Sequence, residues 1–332
     1  SGFVNGVLRN ISRKKETISY PKKDKNLVTY LSVTYSIPEW IIKFFMKTYD
    51  DETVEKIIES YLEDKKTTLC CLMSKGGKDV IRKELEEENV TVEDGELIEN
   101  AVKISDYDFL YRLRAFREGK CYVQDESSML CAKLAGAKEG QFVMDLCSAP
   151  GGKSLYTADQ MKGSGQVLSR DLTEYKTDLI EDNIERMGFT NMEAEVFDAT
   201  ILDEEHIEAA DVVIADVPCS GLGIMGKKND IKYHISEDGM KDLVKLQREI
   251  LTNAVQYVKH GGTLIYSTCT INPEENEKNM QWIINNFDYE AVDITEELPK
   301  NLKIETAKDG YIQLLPGVHP CDGFFIAKLR RK

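Results

Sequence analysis

The most constraining feature of the chain is a regular alternation of short apolar runs and amphipathic helical patterns from about Tyr122 onward. Strands are predicted at residues 142–146, 166–170, 193–197, 212–216 and 263–267, with two more near 290–294 and 324–329. Helices are predicted between them, at residues 125–135, 154–161, 174–186, 239–258 and 273–286. Gly188 is expected to stop the third of these helices, and Gly261-Gly262 the fourth. Strands that alternate with helices form a parallel sheet covered on both faces. We therefore predict an α/β domain built on a doubly wound sheet.

The first part of the chain follows a different pattern. An apolar helical pattern at residues 2–9 leads into a basic linker, and helices are predicted at 37–45, with Pro38 near the first turn, and at 52–61. A strand at 67–73, a helix at 78–88 and weaker strands up to 104 predict a small α+β module. Cys70 and Cys71 are expected to point to opposite faces of the first of these strands.

Composition excludes several classes of protein. Of 332 residues, 42% are apolar and 30% are charged, and no apolar run approaches the roughly 18 to 20 residues of a membrane span. No signal peptide precedes the first helix, so a cytoplasmic protein is expected. The eight cysteines include no Cys-x-x-Cys pair and only four histidines accompany them, which argues against a disulfide framework and a zinc site. We expect free thiols, no metal and a monomer.

The net charge of −15 is unfavourable for a nucleic-acid partner, because phosphate binding depends largely on Lys and Arg. A binding surface needs only a local excess of positive charge, however. Basic residues do cluster at 9–25, 103–120, 227–232 and 328–332. Each of these clusters is equally consistent with an ordinary solvated surface.

A glycine-containing loop follows the first predicted strand of the α/β domain, in the sequence Cys147-Ser-Ala-Pro-Gly-Gly-Lys-Ser154. A phosphate-binding P-loop would require glycine in place of Cys147. A separate Gly-x-Gly-x-x-Gly match at 221–226 follows the fourth strand rather than the first, which weakens a dinucleotide interpretation. The third interpretation is a nucleoside-type cofactor such as S-adenosylmethionine lying across the strand ends.

Acidic residues at the strand ends favour this third interpretation. Asp171 closes the second strand, twenty residues after Gly151, where ribose hydroxyls would need an acceptor. Asp198 follows the third strand near the expected adenine, and Asp216 closes the fourth beside the methyl donor.

Two cysteines also follow predicted strands, Cys219 in Asp216-Val-Pro-Cys-Ser220 and Cys269 in Ser267-Thr-Cys-Thr270. Carbon 5 of cytosine accepts a methyl group only after a thiolate has added to carbon 6, and a second group must then remove the carbon-5 proton. Asn272-Pro-Glu-Glu275 predicts a helix start with Asn272 as N-cap and Glu275 completing a capping box. Such a helix start would favour the thiolate form of Cys269.

At these residues the chain resembles the RsmB (Sun) type of RNA cytosine-5 methyltransferase, a bacterial small-subunit ribosomal RNA enzyme. The resemblance spans almost the whole chain. It is carried by Val123-Gln-Asp-Glu-Ser-Ser128, Asp145-Leu-Cys-Ser-Ala-Pro-Gly-Gly-Lys153, Asp216-Val-Pro-Cys-Ser-Gly221, Tyr266-Ser-Thr-Cys269, Asn272-Pro-Glu-Glu-Asn276 and Asp322-Gly-Phe-Phe-Ile-Ala-Lys328.

The resemblance implies a class I S-adenosylmethionine-dependent methyltransferase fold, preceded by a small helical and α+β module, and small-subunit ribosomal RNA as substrate. It implies that Cys269 is the nucleophile, that Cys219 assists product release, and that Asp216 and Lys153 border the target base. S-adenosylmethionine would be held by Cys147, Ser148, Ala149, Pro150, Gly151, Gly152, Lys153, Asp171, Asp198 and Asp216.

The same resemblance predicts three parts of the chain. Residues 1–36 would be the remnant of a NusB-like domain and a linker, 37–118 a small RNA-binding module, and 119–332 the catalytic domain. The chain departs from the family where Gly226-Lys-Lys-Asn-Asp-Ile-Lys-Tyr233 replaces Arg-Arg-His-Pro-Asp-Ile-Lys-Trp. Lysines keep the attraction for phosphate but lose the bidentate geometry of arginine. Three alternatives stay open: an enzyme that methylates nitrogen, an RNA-binding assembly factor without turnover, and a tRNA cytosine-5 methyltransferase.

Overall fold

The computed structural model describes residues 2–17 and 19–332. The chain divides into two compact units, Ser1–Leu62 and Glu63–Lys332. The division by family resemblance at residues 36 and 118 remains a prediction. None of the helices in the described ranges is long and apolar enough to cross a membrane.

The first unit is helical. Its helices are α1 (Gly2–Lys14), α2 (Leu27–Tyr35), α3 (Glu39–Phe45) and α4 (Asp51–Ser60). The segment predicted as a linker contains α2, which begins where the Asn26 side chain accepts a hydrogen bond from Thr29 N, 3.1 Å away. Apolar side chains of α2, α3 and α4, including Leu31, Ile42 and Ile57, are fully buried and form the core of this unit. The cap and the apolar residues together explain why this linker is helical.

The second unit begins with a small antiparallel sheet. Its elements are β1 (Thr67–Cys71), α5 (Gly77–Glu87), β2 (Thr91–Asp94), β3 (Ala101–Ser105), α6 (Arg114–Arg117) and β4 (Cys121–Val123), in the strand order β2-β3-β1-β4. Cys70 and Cys71 do point to opposite faces of β1. Cys70 packs into the core that the small sheet shares with the larger sheet, whereas Cys71 packs into the core beneath α5.

The larger sheet follows. Its elements are α7 (Glu126–Ala135), β5 (Phe142–Asp145), α8 (Gly152–Gln160), β6 (Gln166–Asp171), α9 (Glu174–Met187), β7 (Met192–Val196), β8 (Ala210–Asp216), α10 (Ile231–His234), α11 (Glu237–Tyr257), β9 (Val258–Thr268), α12 (Glu277–Asn286), β10 (Tyr289–Ala291), β11 (Tyr311–Leu314) and β12 (Phe324–Arg331). The strand order is β10-β12-β9-β8-β5-β6-β7, and β11 also pairs with β12. Strands β5 to β9 are mutually parallel, whereas β12 is antiparallel to its neighbours.

This topology confirms the predicted doubly wound α/β fold. Consecutive connections run outward in opposite directions from the centre, so the strand order reverses between β5 and β8. In sheets of this kind ligands bind outside the carboxyl ends of the strands at the point of reversal. The loops after β5 and β8 are therefore the expected location of the site.

Two glycines have a role that the sequence pattern did not predict. Gly261 and Gly262 were expected to stop the long helix, but α11 passes directly into β9 and both glycines lie within that strand. The pairing of β8 with β9 is irregular there, since Ala210 pairs with Val258 and Val212 with Thr263. A Cβ on Gly262 would lie 2.9 Å from the Asp211 carbonyl oxygen. The glycines therefore accommodate a bulge in a strand.

Candidate active site

The site lies where β8 and β9 end side by side. Asp216, the last residue of β8, pairs with Ser267 of β9, and the loops that follow these strands carry Cys219 and Cys269. The two sulfur atoms are 3.3 Å apart, and both cysteines are partly exposed. The two cysteines predicted from the sequence to be functional, fifty positions apart in the chain, thus face each other at one sheet edge.

The two thiols are electrostatically coupled. The hydrogen bond to the neighbouring sulfur, followed by burial, raises the pKa of the Cys219 thiol well above its ordinary value. The negative charges of Glu275 and Asp216 raise it further. Cys219 therefore keeps its proton at neutral pH and can share it with the sulfur of Cys269.

A partly buried ion pair borders the thiols. Lys153 lies in the first turn of α8, and its Nζ is 2.5 Å from Asp216 Oδ2, while Ser267 Oγ donates to Asp216 Oδ1 over 2.8 Å. Burial lowers the pKa of Lys153, but the charge of Asp216 and the hydrogen bond to it outweigh this effect and leave the pKa raised. Lys153 is consequently a fixed ammonium group at neutral pH. Its Nζ also lies over the ring of Phe324, 5.3 Å from the centroid.

The loop after β5 is tied to the end of β6. Asp171 is almost completely buried, and its Oδ2 accepts a hydrogen bond from Ala149 N at 2.9 Å. Its Oδ1 accepts from Leu172 N and Lys176 Nζ, both at 2.8 Å. A carboxylate has about four acceptor positions, so Asp171 both shapes the loop and can accept from a ribose hydroxyl.

Two glycines in the loop are fixed by conformation and by close contact. Gly151 has φ +97°, a conformation that favours glycine, and a Cβ on Gly152 would lie 3.0 Å from Gln124 Nε2. Burial raises the pKa of Cys147, so this thiol is neutral. The glycine-containing loop and the acid at the end of β6 fit a nucleoside-type cofactor.

Asp198 lies two residues beyond the end of β7, on the side of β6 away from β5. Hydrogen bonds from the Thr200 hydroxyl and backbone N–H lower the pKa of Asp198, so it is a carboxylate. Its position agrees with the predicted place at the third strand end.

The predicted capping box at Asn272 is wrong. Residues 273–276 form turns, and α12 begins at Glu277. The Glu275 carboxylate does not cap a helix. It accepts hydrogen bonds from the backbone N–H and hydroxyl of Ser220, in the loop that carries Cys219. The proposed effect of a helix N-terminus at Asn272 on Cys269 therefore has no basis in the structure.

Two features of the segment that follows Cys219 were missed or misassigned in the sequence analysis. Lys227, one of the predicted basic residues, is neutralised by Asp125 at 2.9 Å and Asp322 at 2.6 Å. The Gly-x-Gly-x-x-Gly match allows two backbone segments to approach each other closely. Gly323 N donates to Gly223 O at 3.0 Å, and a Cβ on Gly223 would lie 2.2 Å from Gly323 O. The motifs containing Asp125 and Asp322 were recognised, but their pairing with Lys227 has no signal in the local sequence.

No group of three or more His, Cys, Asp and Glu side chains in the described residues is arranged to hold a metal ion.

Comparison with known proteins agrees with this architecture. Residues 132–330 match the family model described as 16S rRNA methyltransferase RsmB/F. The chain is 36% identical over 337 residues to the probable ribosomal RNA small subunit methyltransferase B of Bacillus subtilis, covering all of this chain and 74% of that protein. It is 33% identical over 217 residues to the ribosomal RNA small subunit methyltransferase F of Klebsiella pneumoniae, covering 64% of this chain and 45% of that protein.

A solved structure shows the same fold. The methyltransferase homologue of Pyrococcus horikoshii is 25% identical and superposes with a TM-score of 0.79, covering 93% of this chain and 100% of that one. The chain therefore belongs to the RsmB/F family, with a class I methyltransferase fold, and is an rRNA methyltransferase that uses S-adenosylmethionine.

Proposed function

We propose that this enzyme methylates carbon 5 of a cytosine in small-subunit ribosomal RNA through a transient covalent bond between Cys269 and the base. The observation that carries the proposal is the pair of sulfurs 3.3 Å apart beside the Lys153–Asp216 ion pair. A nitrogen methylase has no use for a nucleophilic thiol, still less for two.

The chemistry assigns a different task to each thiol. The sulfur of Cys269 adds to carbon 6 of the ring, which makes carbon 5 electron-rich enough to accept a methyl group. S-adenosylmethionine, when bound against the loop after β5, supplies that methyl group. Cys219 then removes the proton from carbon 5, the S–C6 bond breaks, and the sulfur of Cys269 leaves with the bonding electron pair.

The coupling of the thiols supports this order. The largest cause of the raised pKa of Cys219 is its hydrogen bond to Cys269, and the charge on that neighbour adds to it. The charge is gone once Cys269 is bonded to carbon, and a thioether sulfur is only a weak hydrogen-bond acceptor. Cys219 then releases its proton to solvent more readily, so formation of the adduct makes it a better base.

Lys153 and Asp216 would hold the base during this sequence. A cationic ammonium group next to the ring stabilises the negative charge that thiolate addition places on the pyrimidine. The Asp216 carboxylate can accept a hydrogen bond from the exocyclic amine or a protonated ring nitrogen. Since the base must be unstacked to reach these groups, at a cost of a few kcal/mol, a loop or bulge is preferred over a stable duplex.

The test uses the Cys219→Ser variant with S-adenosylmethionine and unmodified small-subunit ribosomal RNA. We expect a protein–RNA adduct that survives denaturing electrophoresis, because Cys269 attacks but release is blocked. The adduct should disappear in the double variant Cys219→Ser, Cys269→Ser. Cys321→Ser on the wild-type background, at a partly exposed cysteine outside the predicted site residues, serves as the matched cysteine control and should form no stable adduct.

The alternatives give different results. Methyl transfer that survives Cys269→Ser would indicate nitrogen methylation and would contradict the proposal. Absence of transfer by the wild-type protein to any RNA would favour an assembly factor. Transfer to tRNA but not to ribosomal RNA would keep the chemistry and change the substrate.

A further inference from the structure

Glu275 is fully buried between the two cysteine loops. It lies in the turn between β9 and α12, six residues after Cys269, and its carboxylate reaches the loop after β8. Neither thiol touches this carboxylate directly in the hydrogen-bond network of the described residues.

The carboxylate holds the Cys219 loop from both sides of that cysteine. On the C-terminal side, Ser220 N donates to Oε2 at 2.9 Å and Ser220 Oγ donates to Oε1 at 2.5 Å. On the N-terminal side, Gln247 Nε2 bridges Oε2, at 2.9 Å, and the carbonyl oxygen of Pro218, at 3.0 Å. The backbone on either side of Cys219 is therefore fixed to one carboxylate.

The same carboxylate also holds the Cys269 loop. Asn272 Nδ2 donates to Oε1 at 2.9 Å. Ser220 Oγ, already bound to Glu275, lies 2.6 Å from Thr270 Oγ1, the residue that follows Cys269. One buried group thus links both loops over a very short path.

All four hydrogen bonds to this carboxylate come from neutral donors. Burying a carboxylate with neutral partners is costly compared with an apolar side chain of similar size. Packing alone therefore does not account for a carboxylate at this position. A carboxylate has only acceptors, which point in several directions, so it can bind donors from both loops at once.

We propose that Glu275 is a positioning residue that sets the separation of the Cys219 and Cys269 sulfurs. Its consequence for catalysis rests on the proposed function, but the positioning itself does not. The substitution Glu275→Gln preserves size and replaces one acceptor oxygen with an NH₂ group. That NH₂ then faces fixed donors, Ser220 N and Gln247 Nε2 on one side or Asn272 Nδ2 on the other, so at least one link is lost.

The separation can be measured without RNA through disulfide formation. Hydrogen peroxide oxidises the two thiols to a disulfide, with one S–S bond formed and two water molecules released. The rate is followed by mass spectrometry of the peptide pair that contains residues 219 and 269. We expect Glu275→Gln to slow this reaction by about 10- to 100-fold, since a displacement of about 1 Å can cost that much in a reaction between fixed groups.

Glu274→Gln is the matched control. Glu274 is the adjacent residue, is exposed, and pairs only at the surface with Lys278. It should react like the wild type. Ser220→Ala, which removes the hydroxyl link but keeps the carboxylate, should slow disulfide formation to a smaller extent and tests the idea if Glu275→Gln fails to fold.

A second measurement separates positioning from a general loss of folded protein. The carboxylate fixes the backbone on both sides of Cys219 but reaches the Cys269 loop only through Asn272 and Ser220. With RNA and S-adenosylmethionine, Glu275→Gln should therefore accumulate the covalent adduct, because release through Cys219 suffers more than attack by Cys269. Simple misfolding would lower methyl transfer without accumulating adduct.

A folded Glu275→Gln protein that forms the disulfide at the wild-type rate would overturn the positioning role. Slowed disulfide formation in a protein whose wild-type form makes no 5-methylcytosine would support the positioning role and reject the proposed function.

Discussion

Asp145 ends β5, directly before the loop at residues 147–153, and its side chain is fully buried. Its Oδ2 accepts a hydrogen bond from Ser154 Oγ at 2.7 Å, and Ser154 Oγ also lies 2.9 Å from Ser148 Oγ. Burial raises the pKa of Asp145 to about 6, against the opposing effect of Lys153. This acid thus connects the stability of the loop to pH.

We predict that Asp145→Asn removes part of the pH dependence of stability. An unfolded Asp titrates near pH 4, so the folded protein holds this proton more tightly than the unfolded chain. The contribution of Asp145 to the free energy of unfolding is therefore complete below about pH 4 and is lost as the pH rises toward and through about 6, by about 1 to 3 kcal/mol. Urea denaturation at several pH values should show that the free energy of unfolding of the variant increases relative to that of the wild type as the pH rises. Asp178→Asn, at an exposed position of α9, is the control and should show the same pH dependence of stability as the wild type. If Asp145→Asn also showed the wild-type pH dependence, this mechanism would be wrong.

The sequence predicted where the candidate site residues lie better than it predicted which residues they bind. Asp171 and Asp216 close the strands as predicted, and Cys219 and Cys269 follow β8 and β9 closely, because each marks the end of an apolar run. The partner of Glu275 could not be predicted, since Ser220 is 55 positions away and the local pattern matched an ordinary helix cap. The local sequence shows a helix-start pattern, but it does not show that Ser220, which is distant in the chain, binds the Glu275 carboxylate instead.

Among the elements, the glycine-rich segment after Cys219 depends on contact with the turn before β12. Gly223 and Gly323 approach so closely that no side chain fits between them, and Gly223 N also donates to the Cys269 carbonyl oxygen at 3.1 Å. Backbone atoms thus link these three chain segments, in addition to the side-chain hydrogen bonds of Glu275.

We predict that Gly223→Ala displaces this segment and reduces methyl transfer by about 100-fold or more while S-adenosylmethionine binding is retained. The added methyl group would collide with Gly323 backbone atoms, whereas the loop after β5 is untouched. Methyl transfer to RNA and cofactor titration by calorimetry provide the two measurements. Gly6→Ala, with open space around the added carbon, is the control. Unchanged transfer, or loss of cofactor binding together with transfer, would argue against this account.

Helices and strands were predicted well where the apolar periodicity extends over many residues. They were predicted poorly where a short strand pairs with a strand that is distant in the chain. Helix α9 ends at Gly188 as predicted, because that glycine adopts φ +70° at the helix end. Strands β4 and β11 were not predicted, since each is short and is defined by its pairing, with β1 and with β12. Their formation depends on edges supplied by other parts of the chain.

For the whole molecule, the division after Leu62 places every candidate site residue in the second unit. We predict that residues 63–332 fold alone and bind S-adenosylmethionine within about twofold of the full chain, because the proposed cofactor residues, in the loop after β5 and at the ends of β6, β7 and β8, all lie in this range. Circular dichroism and calorimetric titration of both proteins test this expectation. A fragment that aggregates or loses the cofactor would show that the first unit is needed for the fold.

The fold class was predictable at this scale because strand and helix alternation admits few topologies. Residues 63–123 belong to the same compact unit as the larger sheet, and the module predicted at 37–118 stays a prediction. Strand β4 completes the small sheet and leads within a few residues into α7.

The opposite orientations of Cys70 and Cys71 have a consequence for how the second unit melts. Cys70 and Cys71 supply side chains to two different hydrophobic cores, so β1 separates the two cores and packs against both. Loosening either core exposes apolar surface in the other, and neither can open as an independent foldon. Heating should therefore produce a single cooperative transition for this unit, and hydrogen exchange should show β1 among the last segments to become labelled.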